Sequence, residues 1–255
     1  MIIPELFSLV GKTALVTGAS RGLGQKIAEG LAMAGAEVIC SSSRDGGCDR
    51  TLDIIQACGG KGFSFCANLN SDGDVRSMIK SVFAADHRID ILVNVGGTIF
   101  RSPAVEYPYH EWQNVLRVNL DASFLLAQAV APEMIKRQQG KIINIASMLS
   151  YTGGITVPAY TASKHAIAGL TKALANEWGE HNIQVNAIAP GYFRTDNTQA
   201  LQDDRTRNSE IEKRIPAGRW GEPSDLQGAA IFLASHASDY VNGHILAVDG
   251  GWLAR

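Results

Sequence analysis

The chain has 255 residues, of which 45% are hydrophobic and 19% are charged. This composition is typical of a globular chain with a sizeable buried core, and it excludes the disordered and fibrous classes. Lys and Arg number 23 against 25 Asp and Glu, which gives a formal net charge of -2. A charge so near zero provides no general attraction to nucleic acid or to an anionic membrane, so a small molecule is the expected partner.

The cysteines and the N-terminus indicate a reducing compartment. Cys40, Cys48, Cys58 and Cys66 lie eight to ten residues apart, without a C-x-x-C pair or a nearby His at metal-ligand spacing. We expect reduced thiols that pack as small hydrophobes, and no bound metal. The N-terminal MIIPELFSLVGK lacks the basic start and long apolar run of a signal peptide. No stretch has the ~18 apolar residues that span a membrane, so a cytoplasmic protein is expected.

Short β-rich apolar runs alternate with stretches of helical periodicity along the whole chain, with no linker or repeat between them. Several runs, including ILVNV and KIINIA, are apolar nearly throughout, as strands are when helices cover both faces of a parallel sheet. We predict an α/β fold: one Rossmann-type domain over residues 1–255, with a doubly wound parallel sheet of about seven strands. The predicted strands are residues 13–17, 37–41, 62–66, 89–95, 141–146, 184–188 and 245–248.

The longest segment without a predicted strand is residues 192–220, and it is densely charged at residues 202–214 (QDDRTRNSEIEKR). Long segments of this kind in compact domains often cover active sites. We interpret it as a mobile substrate lid, with a solvated surface helix as the alternative.

Immediately after the first predicted strand the chain reads TGASRGLG, with Gly18, Gly22 and Gly24 where it must turn sharply and begin a helix. Glycine lets the backbone approach a pyrophosphate closely, and the N-terminus of the following helix supplies free N–H groups and a favourable dipole. A tight turn alone would also need glycine. The position between the first strand and the first long helix of an α/β chain favours dinucleotide binding.

A second motif, PAYTASKHA, places Tyr160 and Lys164 four residues apart, one turn from each other on a helix. A neighbouring ammonium favours the phenolate form and would lower the pKa of the phenol. Ser147 ends the strand-like KIINIAS, where α/β sheets bind ligands. We predict that Tyr160 is the acid/base of ketone and alcohol interconversion, Lys164 its activator and Ser147 a donor to the substrate oxygen. Taken singly, each is more typical of a half-buried aromatic, a solvated charge or a turn cap, respectively; their joint spacing after the glycine-rich turn reverses this and favours the catalytic interpretation.

The glycine spacing G-x-x-x-G-x-G, followed in order by the serine and the Y-x-x-x-K pair, resembles the short-chain dehydrogenase/reductase family over essentially the whole chain. The resemblance implies an NAD(P)-dependent enzyme in which Asn119 completes a catalytic tetrad and holds a proton-relay water. It also implies that Lys164 binds the nicotinamide ribose, that Pro190 and Gly191 shape the wall beside the nicotinamide, and that Thr195 contacts the cofactor. The other cofactor-binding residues that it implies, besides the three glycines and the catalytic tyrosine, are Ser20, Leu23, Leu69 and Asn94.

Two positions depart from the family pattern. The common N-N-A-G after the fourth strand is Asn94, Val95, Gly96 and Gly97 here. Backbone contacts with the cofactor remain available at Gly96, whereas the side-chain role of the second asparagine is lost. The family's adenine-facing aspartate is replaced by Asn68, whose amide oxygen can still accept a hydrogen bond.

The end of the second strand bears on the choice of cofactor. An acidic side chain there would bind the adenosine ribose hydroxyls and repel a 2′-phosphate, but the residue is Ser42. Arg21 in the glycine turn and Arg44 beyond the strand could bracket a phosphate. We therefore expect NADP(H) in preference to NAD(H), although both arginines can also be read as surface residues.

Residues 159–178 form a helix pattern with few charges on any face, and a helix that is apolar nearly all round must be covered on both sides. In the family the equivalent helix of another subunit provides the second cover, so we expect a homotetramer; a helix of the same chain is the alternative. Trp252 and Arg255 are candidates for closing a neighbouring subunit's site. The small residues of the helix are Ala162, Ala166, Ala168, Gly169, Ala173 and Ala175.

The strings NIASMLS, VNAIAPGY, RIPAGRWGEPSDL and VDGGWLAR resemble the sugar-acid branch of the family. This implies a small anionic substrate such as 2-dehydro-3-deoxy-D-gluconate or 2-deoxy-D-gluconate. Arg101, after the fourth strand, could bind the carboxylate bidentately or be a surface-loop arginine. The alternative enzyme is a 3-oxoacyl-acyl-carrier-protein reductase, which would need a basic docking patch and an open apolar channel. A catalytically dead cofactor-binding regulator and a methyltransferase are further alternatives.

Overall fold

A computed structural model of the protein describes residues 2–255. Seven strands form one parallel sheet in the order β3-β2-β1-β4-β5-β6-β7, which confirms the predicted fold class. Each of the seven predicted strands is present. The strands are β1 (Thr13–Thr17), β2 (Glu37–Ser42), β3 (Lys61–Cys66), β4 (Ile91–Asn94), β5 (Gly140–Ile145), β6 (Ile183–Pro190) and β7 (Ile245–Val248).

Two strand ends differ notably from the prediction. β4 is shorter because the chain leaves the sheet at Val95, whose backbone N–H donates to the hydroxyl of Thr17 at 3.1 Å. β6 is longer because it continues to Pro190, which is aligned with Val248 of β7. Both differences lie at carboxyl ends of strands, next to the site described below.

Helices cover both faces of the sheet. A π-helical turn, Arg117–Asp121, joins α5 to α6. Among residues 2–255 no helix is long and apolar enough to cross a bilayer. The α-helices are α1 (Ile3–Leu6), α2 (Gly22–Met33), α3 (Asp49–Ala57), α4 (Asp72–Ala84), α5 (Tyr109–Leu116), α6 (Ala122–Arg137), α7 (Pro158–Trp178), α8 (Gln199–Asp203), α9 (Arg205–Arg214) and α10 (Gln227–Ala234).

The core has two layers because successive side chains of a strand point to opposite faces of the sheet. Val16 of β1 belongs to the layer that contains Leu31 of α2. Its neighbour Leu15 belongs to the other layer, with Val75 of α4 and Leu126 of α6. β5 and β6 are buried at every position, which explains their nearly continuous apolar sequences.

The strand order reverses around β1, which has β2 on one side and β4 on the other. The connections that follow β1 and β4 therefore run to opposite faces of the sheet and leave a crevice at the carboxyl ends of the two strands. Gly18 and Gly96 line this crevice from its two sides, since a Cβ on Gly18 would lie 2.8 Å from the Cα of Gly96. The fold thus forms a ligand crevice beside the glycine-rich turn.

Residues 192–220 form a loop whose ends meet. The N–H of Gly221 donates to the carbonyl of Tyr192 at 2.8 Å, and the N–H of Arg194 donates to the carbonyl of Gly221 at 2.9 Å. Between them lie α8 and α9, and α9 is largely exposed apart from Ile211. The outer face of the segment is therefore solvated, as a surface helix would be. Its inner face lines a cavity that is described below.

All four cysteines are free. Cys40 and Cys48 are buried, and burial raises the pKa of the Cys40 thiol to about 12. The prediction that all four pack as small hydrophobes is wrong for Cys58 and Cys66, which are exposed. Cys58 follows the last residue of α3, and Cys66 ends the edge strand β3, where every second position faces outward.

Candidate active site

The glycine-rich turn after β1 needs glycine at each of its three positions. Gly18 and Gly22 have φ values of 63° and 55°, in the left-handed region that favours glycine. A Cβ on Gly24 would lie 2.2 Å from the carbonyl oxygen of Gly18. Gly18 and Gly24 therefore have no room for a side chain, and the backbone of the turn forms the floor of the crevice.

The N-terminus of α2 fits an anionic group. Its N-cap residue, Arg21, makes no side-chain hydrogen bond to the helix, and the first turn contains no acidic residue. The N–H groups of that turn are thus not capped by a side chain, and the helix dipole favours negative charge there. This arrangement suits the pyrophosphate of a dinucleotide.

The adenosine side of the crevice contains the four predicted residues after β2 and β3. The hydroxyl of Ser42 donates to the carbonyl of Arg44 at 2.8 Å, within the turn that follows β2. Asn68 is exposed and accepts the N–H of Asn70 at 3.0 Å through its side chain. Leu69 is half-buried against the core. Because Ser42 and Cys66 are aligned in the sheet, the turn after β2 lies beside the end of β3.

The side chain of Arg21 forms an exposed ion pair with Asp196. Its Nε is 3.4 Å from Oδ2 of Asp196, at the start of the proposed lid, and both side chains are more than two-thirds exposed. An exposed pair of this kind contributes little to stability, at most about 1 kcal/mol. The predicted phosphate bracket of Arg21 and Arg44 was based on sequence position alone and did not anticipate Asp196.

The packing around residues 94–97 explains their departure from the common N-N-A-G. The side chain of Asn94 is buried and donates to Oδ1 of Asn144 at 2.9 Å, inside the sheet. The hydroxyl of Thr17 accepts the N–H groups of Val95 and Gly96 at 3.1 and 3.2 Å. A Cβ on Gly96 would lie 2.3 Å from Cδ1 of Leu69. Leu69 thus occupies the space that an alanine would need.

Ser147, Tyr160 and Lys164 come together where β5 ends and α7 begins. Ser147 follows β5 and accepts the N–H of Leu149 at 3.1 Å. Lys164 is buried, its Nζ donates to the carbonyl of Ile145 at 2.6 Å, and it lies 5.5 Å from the ring centre of Tyr160. The predicted grouping of the serine, the tyrosine and the lysine is therefore present.

The electrostatics of this group differ from the prediction. Burial raises the pKa of Tyr160 above its ordinary value, and the Ser147 hydroxyl and the Arg101 charge oppose that rise. Burial also lowers the pKa of Lys164 to about 8. The expectation that Lys164 depresses the pKa of Tyr160 is wrong in this structure, because desolvation disfavours the charged form of both groups.

Asn119 is fully engaged by the protein. It lies in the π-helical turn between α5 and α6. Its Nδ2 donates to the carbonyl of Thr98 at 2.9 Å and to Oγ of Ser163 at 3.1 Å. Its Oδ1 accepts the N–H of Thr98 at 2.8 Å. The side chain therefore ties the loop after β4 to α7. The sequence pattern did not predict these contacts, because it shows Asn119 only as a polar residue inside a helix.

The wall formed by Pro190, Gly191 and Thr195 lies between the sheet and the glycine turn. Gly191 donates its N–H to the carbonyl of Val248 at 3.0 Å. A Cβ on Gly22 would lie 3.7 Å from Cγ2 of Thr195, so the start of the proposed lid contacts the phosphate-binding turn. Thr195 therefore lies beside the glycine-rich turn, and Gly191 lines the cavity described below.

A cavity of about 620 Å³ opens beside Ser147 and Tyr160, under the segment of residues 192–220. Arg101 lines it and donates through Nη2 to the carbonyl of Asn197 at 3.2 Å. Trp252 lines the cavity of its own chain. Residues 2–255 contain no group of three or more His, Cys, Asp or Glu side chains suited to a metal ion. Lining residues that sequence reasoning missed are Met148, Ile155, Arg207, Glu210, Ile211 and Arg214.

Comparisons with known proteins agree with this geometry. Residues 18–253 match the family described as Enoyl-(Acyl carrier protein) reductase. The chain is 54% identical over 251 residues, 98% of each chain, to the 2-dehydro-3-deoxy-D-gluconate 5-dehydrogenase of Bacillus subtilis.

Two solved structures are similar over nearly their full lengths. An NADP-bound Agrobacterium tumefaciens protein, provisionally assigned as a 2-deoxy-D-gluconate 3-dehydrogenase, has a TM-score of 0.92 and 52% identity, with 98% of this chain and 99% of that chain covered. A gluconate 5-dehydrogenase from Burkholderia cenocepacia, in complex with NADP and tartrate, has a TM-score of 0.96 and 41% identity, with 100% of both chains covered.

The fold and the site together define an NAD(P)-dependent oxidoreductase that acts on CH–OH groups. The chain belongs to the short-chain dehydrogenase/reductase family. The methyltransferase and the catalytically dead regulator are therefore set aside.

Gly96→Ala, which restores the common family residue, is expected to destabilise the protein. The new Cβ would contact Cδ1 of Leu69, the end of a half-buried side chain that can shift, so the cost is expected at the lower end of the usual range for overpacking, about 1 kcal/mol. Denaturant unfolding measures the loss, and Gly96→Ala combined with Leu69→Val is expected to recover most of it because the shorter side chain makes room. An equal loss in the double variant would show that the Leu69 contact is not the cause.

Proposed function

We propose that the protein interconverts a secondary alcohol and a ketone on a sugar acid, with 2-dehydro-3-deoxy-D-gluconate or 2-deoxy-D-gluconate as the substrate. The observation that carries the proposal is one cavity, about 620 Å³ in volume, that joins Ser147 and Tyr160 to three arginines. The names of the similar proteins, a dehydrogenase of 2-dehydro-3-deoxy-D-gluconate among them, support the same substrate class.

Tyr160 acts as the acid and Ser147 as the polarising donor in this proposal. In the direction of ketone reduction, the Tyr160 hydroxyl donates its proton to the carbonyl oxygen while the Ser147 hydroxyl donates a hydrogen bond to the same oxygen. The bound nicotinamide supplies the hydride. Because burial raises the pKa of Tyr160, the phenol is protonated at neutral pH and ready to act as an acid.

Lys164 stabilises the phenolate that forms when Tyr160 gives up its proton. An ammonium has three donors, and one of them is used by the carbonyl of Ile145. The other two are available for the ribose hydroxyls of the nicotinamide. In this proposal the backbone of Asn119 holds the proton-relay water, because the side chain of Asn119 is already hydrogen-bonded to Thr98 and Ser163.

The same proposal assigns the cofactor contacts. Gly18, Gly22 and Gly24, with the neighbouring Ser20, Arg21 and Leu23, hold the pyrophosphate. The adenosine half lies along the ends of β2, β3 and β4, and the nicotinamide lies against the wall before Thr195. The residues assigned there are Ser42, Arg44, Asn68, Leu69, Asn94, Gly96, Pro190, Gly191 and Thr195.

The positive charge of the cavity supports an anionic substrate. Three arginines and one glutamate line it: Arg101, Arg207, Arg214 and Glu210. Arg101 contributes a guanidinium beside Tyr160, and residues 192–220 close over the substrate as a lid. A 3-oxoacyl-acyl-carrier-protein reductase is the second candidate, favoured by the apolar side chains of Met148 and Ile155 in the cavity.

The substrate proposal is tested with a panel of sugar acids, keto-sugar acids and 3-oxoacyl thioesters, each with both nicotinamide cofactors. We expect turnover of the sugar acids in preference to the thioesters. Tyr160→Phe is expected to lower turnover by about 10²–10⁴-fold, the usual contribution of a general acid, without loss of cofactor binding. Preferred turnover of the thioesters would show that the substrate is a 3-oxoacyl thioester and not a sugar acid. Full activity of Tyr160→Phe would overturn the mechanism.

The pKa of Lys164 predicts the pH dependence of ketone reduction. Lys164 carries its positive charge below a pKa of about 8 and loses it as the pH rises further. Reduction is therefore expected to slow above that pH, because a neutral amine no longer stabilises the phenolate. Lys164→Arg, which stays charged, should lose this limb of the kcat/KM profile. Lys141→Arg is the control, since Lys141 is also buried with a lowered pKa but pairs with Asp239, whereas Lys164 lies beside Tyr160; a matching change there would refute the assignment.

NADP(H) is proposed as the preferred cofactor. Asp196 holds Arg21 through an exposed pair, so a 2′-phosphate can take its place. Arg21→Ala is expected to raise the KM for NADPH about 10-fold, the effect of losing roughly 1.4 kcal/mol, with little change for NADH. Arg76→Ala, an exposed arginine on α4, serves as the control. A wild-type preference for NADH that Arg21→Ala leaves unchanged would contradict the proposal.

A homotetramer is proposed, with α7 at one subunit contact. The helix is less uniformly covered than its sequence predicts, because His165, Gly169, Lys172 and Ala173 are exposed along one face. A Cβ on Gly169 would have nothing within 4 Å, so another helix can approach there closely. Light scattering is expected to give four times the monomer mass, and Gly169→Glu to lower it. A wild-type monomer at micromolar concentration would rule the tetramer out.

A further inference from the structure

Of the three arginines of the cavity, only Arg207 pairs with a carboxylate in the described part of the chain. Nη1 of Arg207 is 3.1 Å from Oε2 of Glu210, and Arg101 donates to a backbone carbonyl. The guanidinium carbon of Arg214 lies 4.0 Å from the ring centre of Trp252. Within residues 2–255, Arg214 has no carboxylate at ion-pair distance. Arg214 therefore brings a positive charge to the cavity that the described chain does not balance.

The indole beneath Arg214 is firmly held. Trp252 is buried, and its ring centre lies 4.8 Å from that of Tyr192 in an edge-on contact. The turn that carries it is fixed by the carboxylate of Asp249, which accepts the N–H groups of Gly251 and Leu253 at 2.9 Å each. The aromatic face under the guanidinium is thus a fixed part of the cavity wall.

The helix that carries Arg214 is tied to the same turn. Arg255 donates from Nη1 to the carbonyl oxygens of Lys213 and Arg214 at 3.2 and 3.3 Å, at the C-terminal end of α9. The N–H of Ala217 donates to the carbonyl of Gly250 at 3.0 Å. Arg214 and Trp252 consequently form one unit, although they belong to distant parts of the chain.

A guanidinium stacked in this way is prepared for a carboxylate. One of its faces is covered by the indole, while its N–H donors point outward in the plane of the group. Two parallel N–H donors match the two oxygens of a carboxylate. Arg101, in contrast, lies close enough to Tyr160 for its charge to affect the phenol.

We propose that Arg214, stacked on Trp252, binds the carboxylate of the sugar acid and gives the site its preference for acids over neutral sugars. The proposal rests on the sugar-acid function given above. Arg101 then serves the end of the substrate near Tyr160. Because Arg214 lies at the end of α9 that Arg255 holds, the carboxylate contact anchors the substrate at the fixed end of the proposed lid.

The kinetic test compares 2-deoxy-D-gluconate with 2-deoxy-D-gluconamide, which lacks the negative charge, in the oxidation direction with NADP⁺. The wild type is expected to prefer the acid. Arg214→Met is expected to raise the KM for the acid about 10–100-fold, with kcat within about twofold and the KM for the amide unchanged, as the loss of a charge-assisted pair implies. Arg205→Met is the control, because Arg205 begins α9 and lies outside the cavity lining. An unchanged ratio of acid to amide in Arg214→Met overturns the proposal.

A binding measurement separates this inference from the proposed function. Calorimetric titration of 2-deoxy-D-gluconate into the NADPH-loaded enzyme involves no turnover. Affinity is expected to fall about 10-fold or more in Arg214→Met and in Trp252→Leu, and to be retained in Trp252→Phe, which keeps an aromatic face. Equal affinity in the wild type and Arg214→Met refutes the inference. If the wild type binds and oxidises no sugar acid, the proposed function fails and the inference fails with it.

Discussion

The close packing of the turn after β1 against the loop after β4 is the constraint on which the site depends. It holds Gly18 against Gly96, and it lets the hydroxyl of Thr17 accept two backbone N–H groups from the loop. With these two chain segments in contact, the N-terminus of α2 faces the crevice and the loop continues to Thr98, where Asn119 holds it. The glycine-rich turn and α7 are therefore positioned by one continuous set of contacts, which ends at the hydrogen bond from Asn119 to Ser163.

Burial has a second consequence at the reacting centre. It raises the pKa of Tyr160 and lowers that of Lys164, so the protein alone favours a neutral phenol and weakens the charge on the ammonium. The carbonyl of Ile145, at the end of a strand buried throughout, accepts a hydrogen bond from that ammonium. The sheet thus orients the lysine, and burial favours the neutral form of the phenol.

The sequence predicted the strands, the glycine turn and the Tyr-Lys pair because each depends on neighbours that are close in the chain. TGASRGLG must turn whatever surrounds it, and residues four apart on a helix share a face. The contacts that were missed join distant segments. Leu69 fills the space beside Gly96, Asn119 reaches Ser163, and Arg214 stacks on Trp252. No local pattern predicts such pairs, since tertiary packing alone brings them together.

The contacts of residues 192–220 also limit which part of the proposed lid is free to open. Its two ends are joined by the hydrogen bonds between Tyr192, Arg194 and Gly221, and the C-terminal end of α9 is held by Arg255. In the middle, α8 is flanked by contacts of exposed side chains, such as Arg101 with the carbonyl of Asn197. An opening that preserves the buried contacts must therefore swing α8 and the start of α9 outward. Arg214 lies at the fixed end of that motion, so a carboxylate bound there would meet the same guanidinium and indole whether the lid is open or closed.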